Sequence, residues 1–133
     1  MIDRLDHIVL NCRDVAATAA WYEHALGLQR EVFGPDGRIA LKFGGQKINL
    51  RPVGANNWIT GTAEVAGAGD LCFIAAGGLA AVRARLDAAG VEVILGPVTR
   101  TGAAGPMTSL YMRDPDGSLV EVASYDPADR VAD

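Results

Sequence analysis

Apolar and polar positions alternate along this chain in two similar halves. Residues 4–11 alternate and are rich in β-branched side chains, which predicts a strand. Asp14 can cap a helix over residues 15–25, and Gly27 can end it. Glycine and proline turns separate the later apolar runs. The remaining predicted strands are 28–33, 38–43, 47–51, 70–75, 91–95, 108–113 and 119–124, with a short strand at 98–100 as an option within the loop 96–106.

The second half repeats the order of the first. A helix is predicted from Leu79 to about Ala89, and Gly90 ends it. Each half is therefore a βαβββ module, and the predicted fold class is α+β, with two modules forming a curved mixed sheet around a cupped site and the helices outside. We expect one domain over 1–133, with module one at about 3–52, a linker at about 53–68, module two at about 69–125 and a charged tail at 126–133.

Composition narrows the classes of function. At 133 residues the chain has the length of one domain, and no apolar run approaches the roughly 18 residues of a membrane helix. A net charge of −4 argues against nucleic acid as a partner. The first residues lack a signal-peptide pattern, so we expect a cytoplasmic protein. Cys12 and Cys72 are interpreted as buried free thiols, with a ligand or nucleophile role for Cys72 as the alternative.

The repeat nominates four equivalent positions. His7 and Asp70 open the first strand of each half, and Glu121 lies within an otherwise apolar strand, where a charge needs a partner. Asn49 follows the turn at Gly45 by the same interval at which Glu121 follows Gly117. An imidazole and two carboxylates suit a hard or borderline divalent ion. The candidate metal ligands are therefore His7, Asp70 and Glu121.

Three motifs resemble those of a known superfamily. They are Leu5–Leu10, Trp21–Leu28, and the turn Asp114–Gly117 followed by Leu119–Glu121. Over residues 3–125 the chain is similar to the vicinal oxygen chelate superfamily, which includes glyoxalase I, fosfomycin-resistance thioltransferases, extradiol dioxygenases and bleomycin-binding proteins. The resemblance implies paired βαβββ modules around a cupped site, completed by a homodimer, with no nucleic acid or membrane partner.

The resemblance also implies a divalent metal that chelates adjacent oxygens of a small substrate and stabilises negative charge. His7 and Glu121 match the family's ligands, and Glu121 is the catalytic candidate. Asp70 stands where histidine is common, which argues against the two-His, one-carboxylate iron site of the dioxygenases. Asn49 stands where glyoxalase I has a glutamate. Isomerase, lyase and oxygenase chemistry stay open, as do Mn, Fe, Zn, Ni and Mg.

Four residues are predicted to bind substrate. Asn49 shares its strand face with Arg51. The Arg51 guanidinium cannot ligate a cation, but it can bind a carboxylate or phosphonate group of a substrate. Tyr111 resembles a strand tyrosine that contacts substrate oxygen in the fosfomycin-resistance enzymes. Arg100, in a glycine-containing loop, is a second candidate anion contact.

The alternative is a metal-free protein that sequesters a small molecule or an antibiotic, of the bleomycin-resistance type. The departures at Asn49 and Asp70 favour it. An aromatic content of 6% weighs against a large aromatic-lined groove. A partner-binding role without small-molecule chemistry is a third hypothesis.

Overall fold

The computed structural model describes residues 1–132, so Asp133, the end of the predicted charged tail, lies outside the described residues. In that range no helix is both long and apolar enough to cross a membrane. The elements in chain order are β1 (His7–Cys12), α1 (Val15–Leu26), β2 (Gln29–Phe33), β3 (Arg38–Phe43), β4 (Gln46–Pro52), β5 (Asp70–Ile74), α2 (Leu79–Ala88), β6 (Leu95–Gly102), β7 (Gly105–Arg113), β8 (Leu119–Ser124) and a 3₁₀ turn (Pro127–Asp129).

The strands form two four-stranded sheets of identical topology. The first has the order β1-β4-β3-β2, and the second has the order β5-β8-β7-β6. In each sheet the first strand of the module runs parallel to the last, and the other pairs are antiparallel. The predicted α+β class with two βαβββ modules is confirmed, and the curved surface is divided between two sheets.

Local signals set the ends of α1. The Asp14 carboxylate accepts a hydrogen bond from the Ala17 amide at 3.0 Å. Gly27 adopts a left-handed conformation with φ of 72°, and its amide donates to the Glu23 carbonyl. A side chain is strained at such a φ, so glycine ends this helix at low cost.

Alternation along the strands separates two environments. Ile48 and Leu50 of β4 and Val120 and Val122 of β8 lie in one core, together with residues of both helices. Their odd-numbered neighbours point to the other side of each sheet, because successive strand side chains alternate. We call that other side the helix-free face. The predicted position of the helices on the outside of the sheets is therefore confirmed.

The predicted strand at 91–95 is wrong. Val91 and Val93 do pack against the core, but residues 91–94 form no ladder, and β6 begins at Leu95. The alternating apolar residues Val91 and Val93 indicated side-chain burial, and an irregular segment can bury alternate side chains without forming a strand. The optional strand at 98–100 is the middle of β6, after a register irregularity between Leu95 and Val98.

One buried carboxylate connects the two halves. Asp114 Oδ1 accepts from the amides of Asp116 and Ser118, each at 3.0 Å, and closes the turn before β8. Asp114 Oδ2 accepts from the Tyr22 hydroxyl of α1 at 2.9 Å. Burial raises the pKa of Asp114, whereas these hydrogen bonds act in the opposite direction. The turn that leads to Glu121 is thus tied to the helix of module one.

We expect Tyr22→Phe to lower the free energy of unfolding by about 1–3 kcal/mol, because it leaves a buried carboxylate oxygen without its donor. Urea denaturation measures the change. Tyr125→Phe is the matched control, since the Tyr125 hydroxyl accepts from the Ala104 amide at an exposed site. Equal losses in the two variants would contradict a special role for the Tyr22–Asp114 bond.

Candidate functional site

Glu121 lies at the centre of the helix-free face of the second sheet. It pairs directly with Cys72 of β5 on one side and with Tyr111 of β7 on the other. The residue is only 9% exposed, and Oε2 has no hydrogen-bond partner. A buried carboxylate oxygen without a partner is costly unless a cation or a donor reaches it.

Cys72 and Asp70 follow one another along the same face of β5. Both are exposed, and Asp70 pairs with Leu119, one step along the strand from Glu121. Although the residue is exposed, the surrounding sheet partly desolvates its thiol, and this desolvation, followed by the nearby Glu121 charge, raises the pKa of Cys72 to about 11. The thiol is free, as is that of Cys12, which is buried on the core side as expected. The expectation that Cys72 is buried is wrong, because its side chain points to the helix-free face, whereas that of Cys12 points to the core.

Tyr111 and Arg100 form a polar pair beside Glu121. Arg100 Nε donates to the Tyr111 hydroxyl oxygen at 3.0 Å, and the guanidinium carbon lies 5.4 Å from the ring centre. Burial raises the pKa of Tyr111, Arg100 lowers it, and Glu121 raises it again. Arg100 donates to the phenol oxygen, and Glu121 lies within reach of the phenol proton as an acceptor.

The first sheet repeats this register. Asn49 pairs with Val9 of β1, as Glu121 pairs with Cys72, so Asn49 and Glu121 hold equivalent positions. Asn49 is 6% exposed, and its Oδ1 has no hydrogen-bond partner. His7 lies two residues before Val9 on the same face of β1, and its Nδ1 is 2.8 Å from Asp6 Oδ2. That contact orients the ring and leaves Nε2 available as a ligand.

Arg51 is buried under the linker between the modules. Its guanidinium donates to the carbonyls of Trp58 and Ala55, to Asn11 Oδ1 and to Glu64 Oε1, at 2.6–2.9 Å. Four of its five N–H donors are thereby used. The structure thus directs Arg51 towards the linker. Sequence reasoning missed this contact, because no local pattern links residue 51 to residue 64.

The donor chemistry of this chain fits a divalent metal, although a single copy does not assemble it. His7, Asp70 and Cys72 border a cleft of about 360 Å³ between the starts of β1 and β5, and Glu121 is not in its lining. Within residues 1–132, no three His, Cys, Asp or Glu side chains converge to hold one ion. The imidazole of His7 and the unpartnered oxygen of Glu121 are nevertheless suitable ligands.

Comparison with known proteins identifies relatives over most of the chain. Residues 4–122 match the model of the Glyoxalase/Bleomycin resistance protein/Dioxygenase superfamily. The virulence protein STM3117 of Salmonella typhimurium is 41% identical over 125 residues, covering 94% of this chain and 86% of that protein. An ethylmalonyl-CoA/methylmalonyl-CoA epimerase of Cereibacter sphaeroides is 34% identical over 134 residues, covering 92% and 98%.

A solved structure has the same fold along nearly its whole length. It is the integron cassette protein VCH_CASS1 from the mobile metagenome of V. cholerae. It is 44% identical, with a TM-score of 0.91, and the match covers 95% of this chain and 98% of that one. The motifs noted in the sequence therefore belong to one architecture that these proteins share.

Acid should release the linker from Arg51. Arg51 and then the Gly54 amide hold the pKa of Glu64 below its ordinary value of 4.5. A lowered folded-state pKa stabilises the linker contact above pH 4.5, and that contribution disappears as the pH falls through the lower value. We expect the indole N–H resonance of Trp58 to titrate below pH 4.5, and Glu64→Gln to abolish that titration. The Trp21 indole, on α1, is the internal control, and a pH-independent Trp58 signal would contradict the role of Glu64.

Proposed function

The chain belongs to the Glyoxalase/Bleomycin resistance protein/Dioxygenase superfamily, and from that premise we propose that it is a metal-dependent enzyme acting on a small substrate with adjacent oxygens. The observation that carries the proposal is Glu121, a 9% exposed carboxylate with an unpartnered oxygen on the helix-free face. Apolar packing does not explain a charged side chain at this buried position, whereas a bound cation would compensate the charge of the Glu121 carboxylate.

His7, Asp70 and Glu121 are the residues that would hold the ion. When bound, a divalent metal would act as a Lewis acid on substrate oxygens and stabilise developing negative charge. The ligand types admit Mn, Fe, Zn, Ni and Mg. The Asp6 carboxylate supports the assignment of His7, because metal-binding histidines commonly donate their second ring nitrogen to such a group.

The neighbouring side chains can bind and orient the substrate. Arg100 donates to Tyr111 through Nε and to the Thr99 carbonyl through one terminal nitrogen, so its other terminal nitrogen can bind an anionic group. The Tyr111 hydroxyl can donate its proton to a substrate oxygen. Glu121 lies beside that hydroxyl and can accept a proton from the substrate. Asn49 offers a buried amide on the first sheet.

We also propose that the site forms between two copies of the chain. Glu121 is absent from the cleft that His7 borders, so one copy leaves the ligand set incomplete. Apolar side chains are exposed on the edge strands β1 and β5, including Val9 at 38% and Ile74 at 52%. A homodimer would cover them, and His7 of one copy would reach Glu121 of the other.

One observation favours a metal-free alternative. Asn49 presents a buried, unpartnered amide oxygen at the position equivalent to Glu121. An amide is a weaker cation ligand than a carboxylate, but it recognises neutral ligands well. A binding protein that sequesters a small molecule would use this amide with Tyr111 and Arg100.

Glu121→Gln should weaken binding of the preferred divalent ion by at least about 100-fold, since even outer-shell changes at metal sites cost about 10–100-fold. Elemental analysis of untagged protein and calorimetric titration with each of the candidate ions test this. Glu92→Gln, at an exposed position, is the matched control. Absence of binding for every candidate ion in the wild-type protein would overturn the metal proposal in favour of the metal-free alternative.

Mixing two defective variants tests the shared site. His7→Ala and Glu121→Gln should each bind little metal alone. If the ligands come from different copies, reassociated mixed dimers contain one intact site, and about one quarter of all sites recover in an equal mixture. Mass spectrometry verifies that the subunits exchange. If metal binding does not recover after exchange, His7 and Glu121 of one site come from the same copy, and the shared-site proposal is wrong.

A further inference from the structure

We propose that Cys72 is a sulfur ligand of this metal, an inference that rests on the proposed function. Cys72 would join the ligands already proposed, so the donor set would be Cys72, Asp70 and Glu121 from one copy with His7 from the second.

The register places the thiol next to the unpartnered carboxylate. Cys72 and Glu121 are directly paired between two neighbouring strands, and both side chains point to the helix-free face. Asp70 is paired with Leu119 instead, one step further from Glu121. Of the two potential ligands on β5, Cys72 is thus the one aligned with the buried oxygen.

Packing does not explain a cysteine here. The side chain is exposed and lies outside the apolar core. The equivalent position in the first sheet is Val9, also exposed, so this place in the module accepts a plain apolar side chain. The remaining cysteine, Cys12, is buried on the core side and forms no disulfide. The thiol therefore differs from its structural equivalent only in the chemistry that it offers beside Glu121.

A sulfur ligand would change the choice of metal. Thiolate with imidazole and carboxylate favours Zn²⁺ and Fe²⁺ over Mg²⁺ and Mn²⁺. A thiol binds as the thiolate, so its proton leaves to solvent when the metal enters. The same site without Cys72 would lose most of that preference.

Cobalt substitution of the full chain separates the two proposals. Co²⁺ serves as the probe, because its visible absorption reports binding and its near-ultraviolet sulfur-to-metal charge-transfer band reports a thiolate ligand. We expect the wild-type protein to show both signals. Cys72→Ser should keep the visible bands and lose the charge-transfer band, with Zn²⁺ affinity lowered at least about tenfold. Cys12→Ala, at the buried core-side cysteine, should retain the charge-transfer band.

Each other outcome is decisive. Visible Co²⁺ bands without a charge-transfer band in the wild-type protein would overturn sulfur ligation and leave the metal proposal standing. A band that survives in Cys72→Ser would overturn it as well. No Co²⁺ binding at all would contradict the proposed function, and this inference with it. Cys72→Val, which introduces the side chain found at the equivalent Val9, gives a second variant, and circular dichroism verifies that each one is folded.

Discussion

The hydrogen bonds of Asp114 are the interaction on which the arrangement of the two modules depends. One carboxylate oxygen closes the turn 114–118, and the other accepts from Tyr22 on the helix of the opposite module. The next carboxylate, Asp116, accepts from the Arg13 amide and the Thr18 hydroxyl, which adds a second tie to the same helix. Because β8 starts directly after this turn, the position of Glu121 relative to the first module follows from it.

The second constraint is the alternation of strand side chains. It assigns most apolar side chains to the shared core and places Asn49, Ser109 and Glu121 on the helix-free faces, where they are buried as well. Among the described residues, the buried side-chain atoms without a hydrogen-bond partner are Asn49 Oδ1, Ser109 Oγ and Glu121 Oε2. All three belong to helix-free faces, since Ser109 pairs with Ala123 on the strand of Glu121. Buried polar groups without a partner are uncommon in folded proteins, and all three of these occur on the helix-free faces.

The two arginines proposed as anion contacts have different environments. Arg51 is 3% exposed and uses four donors to hold the linker against the first sheet. Arg100 is exposed and touches Tyr111, which in turn lies beside Glu121. The same residue type therefore holds the linker at the first sheet and pairs with Tyr111 at the second. The asymmetry follows from the linker, whose residues Ala55, Trp58 and Glu64 accept hydrogen bonds from Arg51.

The sequence by itself determined the elements and their faces. Period-two alternation, the Asp14 cap and the glycine that ends the helix at Gly27 were sufficient to predict the duplicated βαβββ order. Counting residues from the turns at Gly45 and Gly117 was sufficient to predict that Asn49 and Glu121 occupy equivalent positions. These are local properties, decided within a few residues. Tertiary structure alone decided that residues 91–94 lie outside the regular strands, that Arg51 binds Glu64, and that Glu121 does not line the cleft of His7. Such contacts join segments far apart in the chain, and the energy that selects them comes from burial and hydrogen bonding in the assembled core, which no local pattern contains.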